Sequence, residues 1–127
     1  MPFLRNFSAF ALAGSVLLAT PALAHPKLVS SQPSARAAVA ATNRVSLTFS
    51  ERLMPQMSGM DITMTGMPRM HSHSMKMTGF RTAVDRSGKT LAATFARPLT
   101  AGTYHVQWHA VSTDTHRIQG TIDFTVR

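Results

Sequence analysis

Alternation with a period of two, broken at intervals by turn residues, constrains this chain more than any other feature of its sequence. In RVSLTFS, residues 44 to 50, Val45, Leu47 and Phe49 fall on one face. In TYHVQWHAVS, Tyr104, Val106, Trp108 and Ala110 do the same. Met60, Ile62 and Met64 alternate with Asp61, Thr63 and Thr65, and Ile118, Ile122, Phe124 and Val126 alternate with polar partners. Further strands are expected at KLVSS, at residues 78 to 84 and in TLAATFA, with DRSGK and RPLTAG as turns. QPSARAAVAATN reads as a long connection. About seven short strands separated by turns predict an all-β fold, an antiparallel β-sandwich or Greek-key barrel. Neither an internal repeat nor a second domain is visible.

The start of the chain has a different character. Arg5 opens a charged stretch, FSAFALAGSVLLAT is apolar and rich in small residues, and Ala22-Leu23-Ala24 fits an A-x-A cleavage pattern. Residues 1–24 therefore read as a secretory signal, with a membrane anchor as the alternative, and residues 25–127 as the mature domain, beginning at His25. The apolar run is too short for a spanning helix, so no membrane span is expected in the mature chain. Export gives meaning to the absence of cysteine, because thiols are oxidised or paired outside the cytoplasm. It also excludes a blue-copper site, which needs a thiolate. The formal charge of +8 falls to +7 without Arg5. The basic residues are scattered singly with no aromatic interleaving, which argues against nucleic acid as a partner.

Eight of the nine methionines lie between residues 54 and 77. In MTGMPRMHSHSMKM, residues 64 to 77, Met64, Met67, Met70, Met75 and Met77 accompany His71 and His73, with no acid among them. Thioethers are soft and uncharged, so this loop suits Cu(I) above Cu(II) or zinc. Met60 and Met64 also continue a core face, and Met54 and Met57 suit packing or a flexible partner surface.

A second group emerges from strand phase. Glu51 continues the Val45 series, Asp114 the Tyr104 series, and His116 precedes Ile118 by two. If the chain reverses at every connection, the second and sixth strands both end where His25 begins. That gathers Glu51, Asp114 and His116 beside His25 and sends the methionine loop to the opposite pole, roughly 20 to 30 Å away at about 3.3 Å per residue. After cleavage, His25 offers an α-amino and an imidazole nitrogen, while Pro26 has no amide N–H to add. With His116 and Asp114, the donors suit tetragonal Cu(II), and Glu51 is a further ligand or an outer acceptor. His105 and His109 share the face opposite Trp108, toward solvent.

HPKLVSSQP, FSERL, MTGMPRM and PLTAGTYHVQWHAVSTDTHRIQGTIDFTV together resemble the CopC-type periplasmic copper-resistance proteins, over essentially all of residues 25–127. The resemblance implies an Ig-like or cupredoxin-like β-fold, a periplasmic location, a Cu(II) site and, in the methionine-rich branch, a Cu(I) site. The cupric pattern maps onto His25, Asp114 and His116, with Glu51 at the nearby acid. The cuprous pattern, similar to M-x-x-M-P-x-M-x-H-x-x-M, maps onto Met64, Met67, Met70 and Met75. Its histidine position falls on Ser72, flanked by His71 and His73.

The function expected is that of a non-enzymatic copper carrier serving tolerance or supply, with a CopD-type inner-membrane importer or other periplasmic copper proteins as partners. Two other classes compete. An N-terminal histidine paired with a second histidine also forms the copper brace of oxidative enzymes, although Asp114 and Glu51 would fill positions that oxygen needs. An adaptor whose methionines bind a protein partner is the third.

Overall fold

The computed structural model describes residues 14–17, 25–70 and 74–127. The signal reading therefore falls largely outside the described residues, as do His71, Ser72 and His73. Among the described residues nine strands follow in order: β1 Leu28–Gln32, β2 Ala38–Val39, β3 Arg44–Phe49, β4 Gly59–Gly66, β5 Met75–Lys76, β6 Phe80–Val84, β7 Thr90–Phe95, β8 Gly102–Val111 and β9 Arg117–Val126. Seven correspond to the expected strands. The other two, β2 and β5, have two residues each, too few to carry an alternation that a sequence reading can find.

The strands form two sheets, β1-β3-β7-β6 and β2-β9-β8-β4-β5. Every pairing is antiparallel except that of β2 with β9, so the β-sandwich expected from the sequence is the fold observed. Within QPSARAAVAATN, β2 is held parallel to β9 by Thr125 N–H to Ala37 C=O and Arg127 N–H to Val39 C=O, both 2.8 Å. That segment is a sheet edge rather than only a connection.

The alternating residues meet between the sheets. Val45, Leu47 and Phe49 of β3 pack with Met60, Ile62 and Met64 of β4, Leu91 and Ala93 of β7, and Tyr104, Val106, Trp108 and Ala110 of β8. One aromatic pair joins the layers, and a second lies between neighbouring strands of the five-stranded sheet. Phe49 meets Trp108 edge-on, with ring centroids 5.1 Å apart, and Tyr104 stacks on Phe124 at 5.3 Å. The Tyr104 hydroxyl donates to the Thr100 carbonyl at 2.6 Å, which satisfies its polar end inside the core. Trp108 fits because position 120 has no side chain: a Cβ there would sit 2.5 Å from Trp108 Cζ2.

Chain direction follows the expected course. β3 and β8 both finish at the pole where β1 begins, because Phe49 lies opposite Leu28 and Leu53 bridges to Ser112 beyond the end of β8. β4 starts beside the end of β8, with Gly59 opposite His109, and leaves toward the other pole, with Gly66 opposite Thr103. There the backbones of β4 and β8 touch closely, since a Cβ on Gly102 would fall 2.5 Å from the Gly66 carbonyl oxygen. The methionine loop departs from that contact. From Thr103 to Val111 the strand advances about 26 Å at ~3.3 Å per residue, which separates the two poles.

Candidate metal centre

At the first pole, the position of His25 is set by its neighbours. The Lys27 N–H donates to the Ser50 hydroxyl at 3.0 Å, and the Ser50 N–H donates to the Lys27 carbonyl at 2.9 Å. Pro26 is buried. This double clamp ties residues 25–27 to the end of β3, with His25 beside the turn between β8 and β9. Its imidazole meets that of His116 edge-on, with ring centroids 5.3 Å apart and planes at 71°.

The turn that presents His116 is tightly built. Ser112 N–H donates to the His116 carbonyl at 2.9 Å, and Thr115 N–H donates to the Ser112 carbonyl at 2.8 Å. Thr115 takes φ 73°, a left-handed conformation that is uncommon for a β-branched residue and that turns Asp114 and His116 to one side. The Asp114 carboxylate accepts a hydrogen bond from the buried Ser112 hydroxyl, contacts His116 Nδ1 at 2.9 Å, and receives the His116 N–H at 3.4 Å. These donors favour the ionised form. The Ser112 hydroxyl, then the His116 side chain, lower the Asp114 pKa to about 2 from an ordinary 3.8.

The structure thus brings His25, His116 and Asp114 to one place, as strand phase and direction predict. Glu51 is at the same pole and half-buried, one residue beyond the Ser50 clamp, but has no hydrogen bond or ion pair among the described residues. Among the described residues no three His, Asp or Glu side chains form a ready-made cage. Asp114 engages Nδ1 of His116, which leaves Nε2 as that ring's free nitrogen. Ser112 is the residue the sequence reading overlooked. It lies in phase with Tyr104, Val106, Trp108 and Ala110, and an inward-phased hydroxyl two positions before Asp114 was the available clue.

At the second pole the methionines pair across strands. Met64 of β4 lies opposite Met75 of β5, and Met67 opposite Met70. Met67 and Met70 exchange N–H to C=O bonds of 3.0 and 2.9 Å around Pro68 and Arg69, the latter at φ 72°. Proline followed by a positive φ is the pattern of a type II turn. Directly opposed residues project to the same face, so the spacing in the sequence becomes two thioether pairs. Their surroundings differ: Met64 is 2% exposed and Met67 half-buried, whereas Met70 and Met75 are 52% and 44% exposed. Met77 is half-buried and packs on the core. Met54 and Met57 belong to neither pair. Met54 precedes and Met57 closes the 3-10 turn Pro55–Met57, and Met54 N–H donates to the Val111 carbonyl at the histidine pole. His105 and His109 face outward as expected but are half-buried, and His105 Nδ1 meets Asp123 Oδ1 at 2.6 Å.

Among the described residues no helix is long and apolar enough to cross a membrane. Comparison with known proteins places the architecture. The CopC domain matches residues 28–127. Copper resistance protein C of Pseudomonas syringae pv. tomato is 46% identical over 117 residues, which is 91% of this chain and 90% of that protein. Copper resistance protein C of Escherichia coli is 46% identical over 110 residues, 87% of each chain. The crystal structure of PcoC, a methionine-rich copper resistance protein from Escherichia coli, superposes with a TM-score of 0.73 at 44% identity, covering 82% of this chain and all of that one.

Proposed function

The chain belongs to the CopC family of copper-resistance proteins, and from that premise we propose that it is an exported, periplasmic copper carrier with two sites of different softness. Cleavage after Ala24 frees the α-amine of His25, which joins the His25 and His116 imidazoles and Asp114 as donors for Cu(II). Glu51 stands beside them as an outer acceptor or further ligand. Met64, Met67, Met70 and Met75 take Cu(I), with His71 or His73 supplying an imidazole. The recipient is a CopD-type importer or another periplasmic copper protein. Copper is cargo in this reading, and no catalytic step is assigned to the chain.

The observation that carries the proposal is the meeting of His25 with the Asp114–His116 pair at the pole farthest from the methionine pairs. Nitrogen and oxygen donors suit Cu(II), thioethers suit Cu(I), and the fold keeps them apart. The test compares the mature chain with one carrying an extra residue before His25. The extension removes the terminal chelate, so Cu(II) affinity falls at least tenfold while Cu(I) affinity holds. Equal Cu(II) affinity in both forms would refute the site. Steady oxidation of a reductant by the copper-loaded chain would favour an enzyme instead.

A further inference from the structure

The acids of this protein are segregated, whereas basic residues lie at both poles. Of its five acids, Glu51, Asp85 and Asp114 lie toward the histidine pole. Asp61 and Asp123 lie on the outer face of the five-stranded sheet, where Lys76 and His105 pair with them. No acid lies in any strand of the four-stranded sheet, nor in the described loops at the methionine pole. These segments carry Arg44, Arg69, Arg81 and Arg97, all exposed. Arg44 of β3 and Arg81 of β6 flank Thr94 of β7 in one register row, two strand spacings or about 10 Å apart. Arg97 follows the end of β7, and Arg69 tops the Met67–Met70 turn beside the exposed thioethers.

We infer that this arginine-bearing surface is the docking face for an acidic, copper-binding protein that exchanges Cu(I) with the exposed methionines. The inference rests on the carrier reading above and adds the chemistry of the partner. Thioethers are neutral, so a bound Cu(I) ion adds a positive charge to a pole that already lacks any acid. An acidic acceptor is therefore drawn most strongly to the loaded carrier. The surface fits a protein better than a bilayer. Membrane-binding faces insert clusters of apolar or aromatic anchors, whereas the four-stranded sheet turns Ser30, Gln32, Ser46, Thr48, Ala83 and Thr94 outward, with Val29 of β1 as a lone exposed large apolar side chain. Release of Cu(I) also needs new soft donors, which a protein acceptor supplies.

The experiment follows Cu(I) transfer by stopped flow from the loaded mature chain to a methionine-bearing peptide flanked by glutamates, and to the same peptide flanked by glutamines. At low salt the acidic peptide is expected to receive the ion about tenfold faster or more, within the range of electrostatic steering. In about 1 M salt, where the Debye length is ~3 Å, that advantage disappears. Arg44→Glu with Arg81→Glu abolishes the preference, whereas Arg86→Glu with Lys89→Glu, an equal change in net charge near the histidine pole, keeps most of it. Equal rates to both peptides, or equal damage from both double substitutions, would overturn the inference. So would tighter binding of the apo chain to phosphatidylglycerol vesicles than to the acidic peptide. Cu(I) affinity is measured separately and should not change with Arg44 and Arg81. If the wild-type chain holds no Cu(I), the carrier reading fails by itself, and docking is still decided by whether the apo chain prefers the glutamate peptide.

Discussion

Replacing Ser112 with alanine tests how the candidate Cu(II) site is held. The Ser112 hydroxyl is buried and is the foremost of the donors that hold the Asp114 carboxyl near pKa 2, ahead of the His116 side chain. A carboxyl depressed in the folded state contributes stability that is present above its ordinary value of 3.8 and lost as pH falls toward 2. In Ser112→Ala the His116 contacts remain, so the Asp114 midpoint moves up into the interval between about 2 and 3.8 without reaching its top. Carbon-detected NMR of the Asp114 carboxyl in the metal-free protein reads this directly. The turn should survive, because the Ser112 N–H still donates to the His116 carbonyl. The freed carboxylate no longer fixes the imidazole as tightly, and Cu(II) affinity is expected to fall about tenfold to a hundredfold, the usual effect of removing an outer partner of a metal ligand. Ser112→Thr keeps a hydroxyl and should restore the low midpoint. A wild-type midpoint near 3.8, or an unchanged midpoint in Ser112→Ala, would refute the reasoning.

Gly120→Ala drives a methyl to 2.5 Å from Trp108 Cζ2 and 2.9 Å from Cε2, against a ring already backed by Phe49; it should destabilise the fold by about 1–3 kcal/mol in urea titrations, with a change in emission from the single tryptophan. Met64→Ala should cost about 2–5 kcal/mol of stability as well as Cu(I) affinity, because Met64 is a core residue. Met70→Ala should weaken Cu(I) alone, and thermal melts beside Cu(I) competition assays separate the two effects. On acidification Cu(II) should leave first, since protons compete for imidazole and amine nitrogens but not for thioethers. Competition assays across pH for both ions check this, and a steep loss of Cu(I) would mean that His71 or His73 dominates the soft site.

The fold was legible wherever burial imposes a period of two. Val45 to Phe49, Met60 to Met64 and Tyr104 to Ala110 each display their inward face as alternation, and the core takes all of them. β2 and β5 were not legible, because two residues have no period and their pairing depends on β9 and β4. Chain reversal carried His25 to His116, a contact across ninety-one positions that no local motif encodes. The methionine window from 54 to 77 proved misleading in one respect. Its first two members stay at the histidine pole, because β4 has not yet begun. Ser112 was missed since serine in a β-strand usually means an outward position, and only its parity with Tyr104 marks it as internal.

The length of β8 has a consequence for traffic. Thioether and imidazole exchange proceeds by overlapping coordination spheres, over a few ångströms, whereas the strand sets the poles about 26 Å apart. On the proposed two-site reading, an ion held at the histidine end cannot be relayed to the sulfur end within one molecule. It must leave and be captured again, by this molecule or another. The two sites proposed are thus separate berths, each to be loaded and cleared on its own schedule, with the redox state of the surrounding solution deciding which one fills.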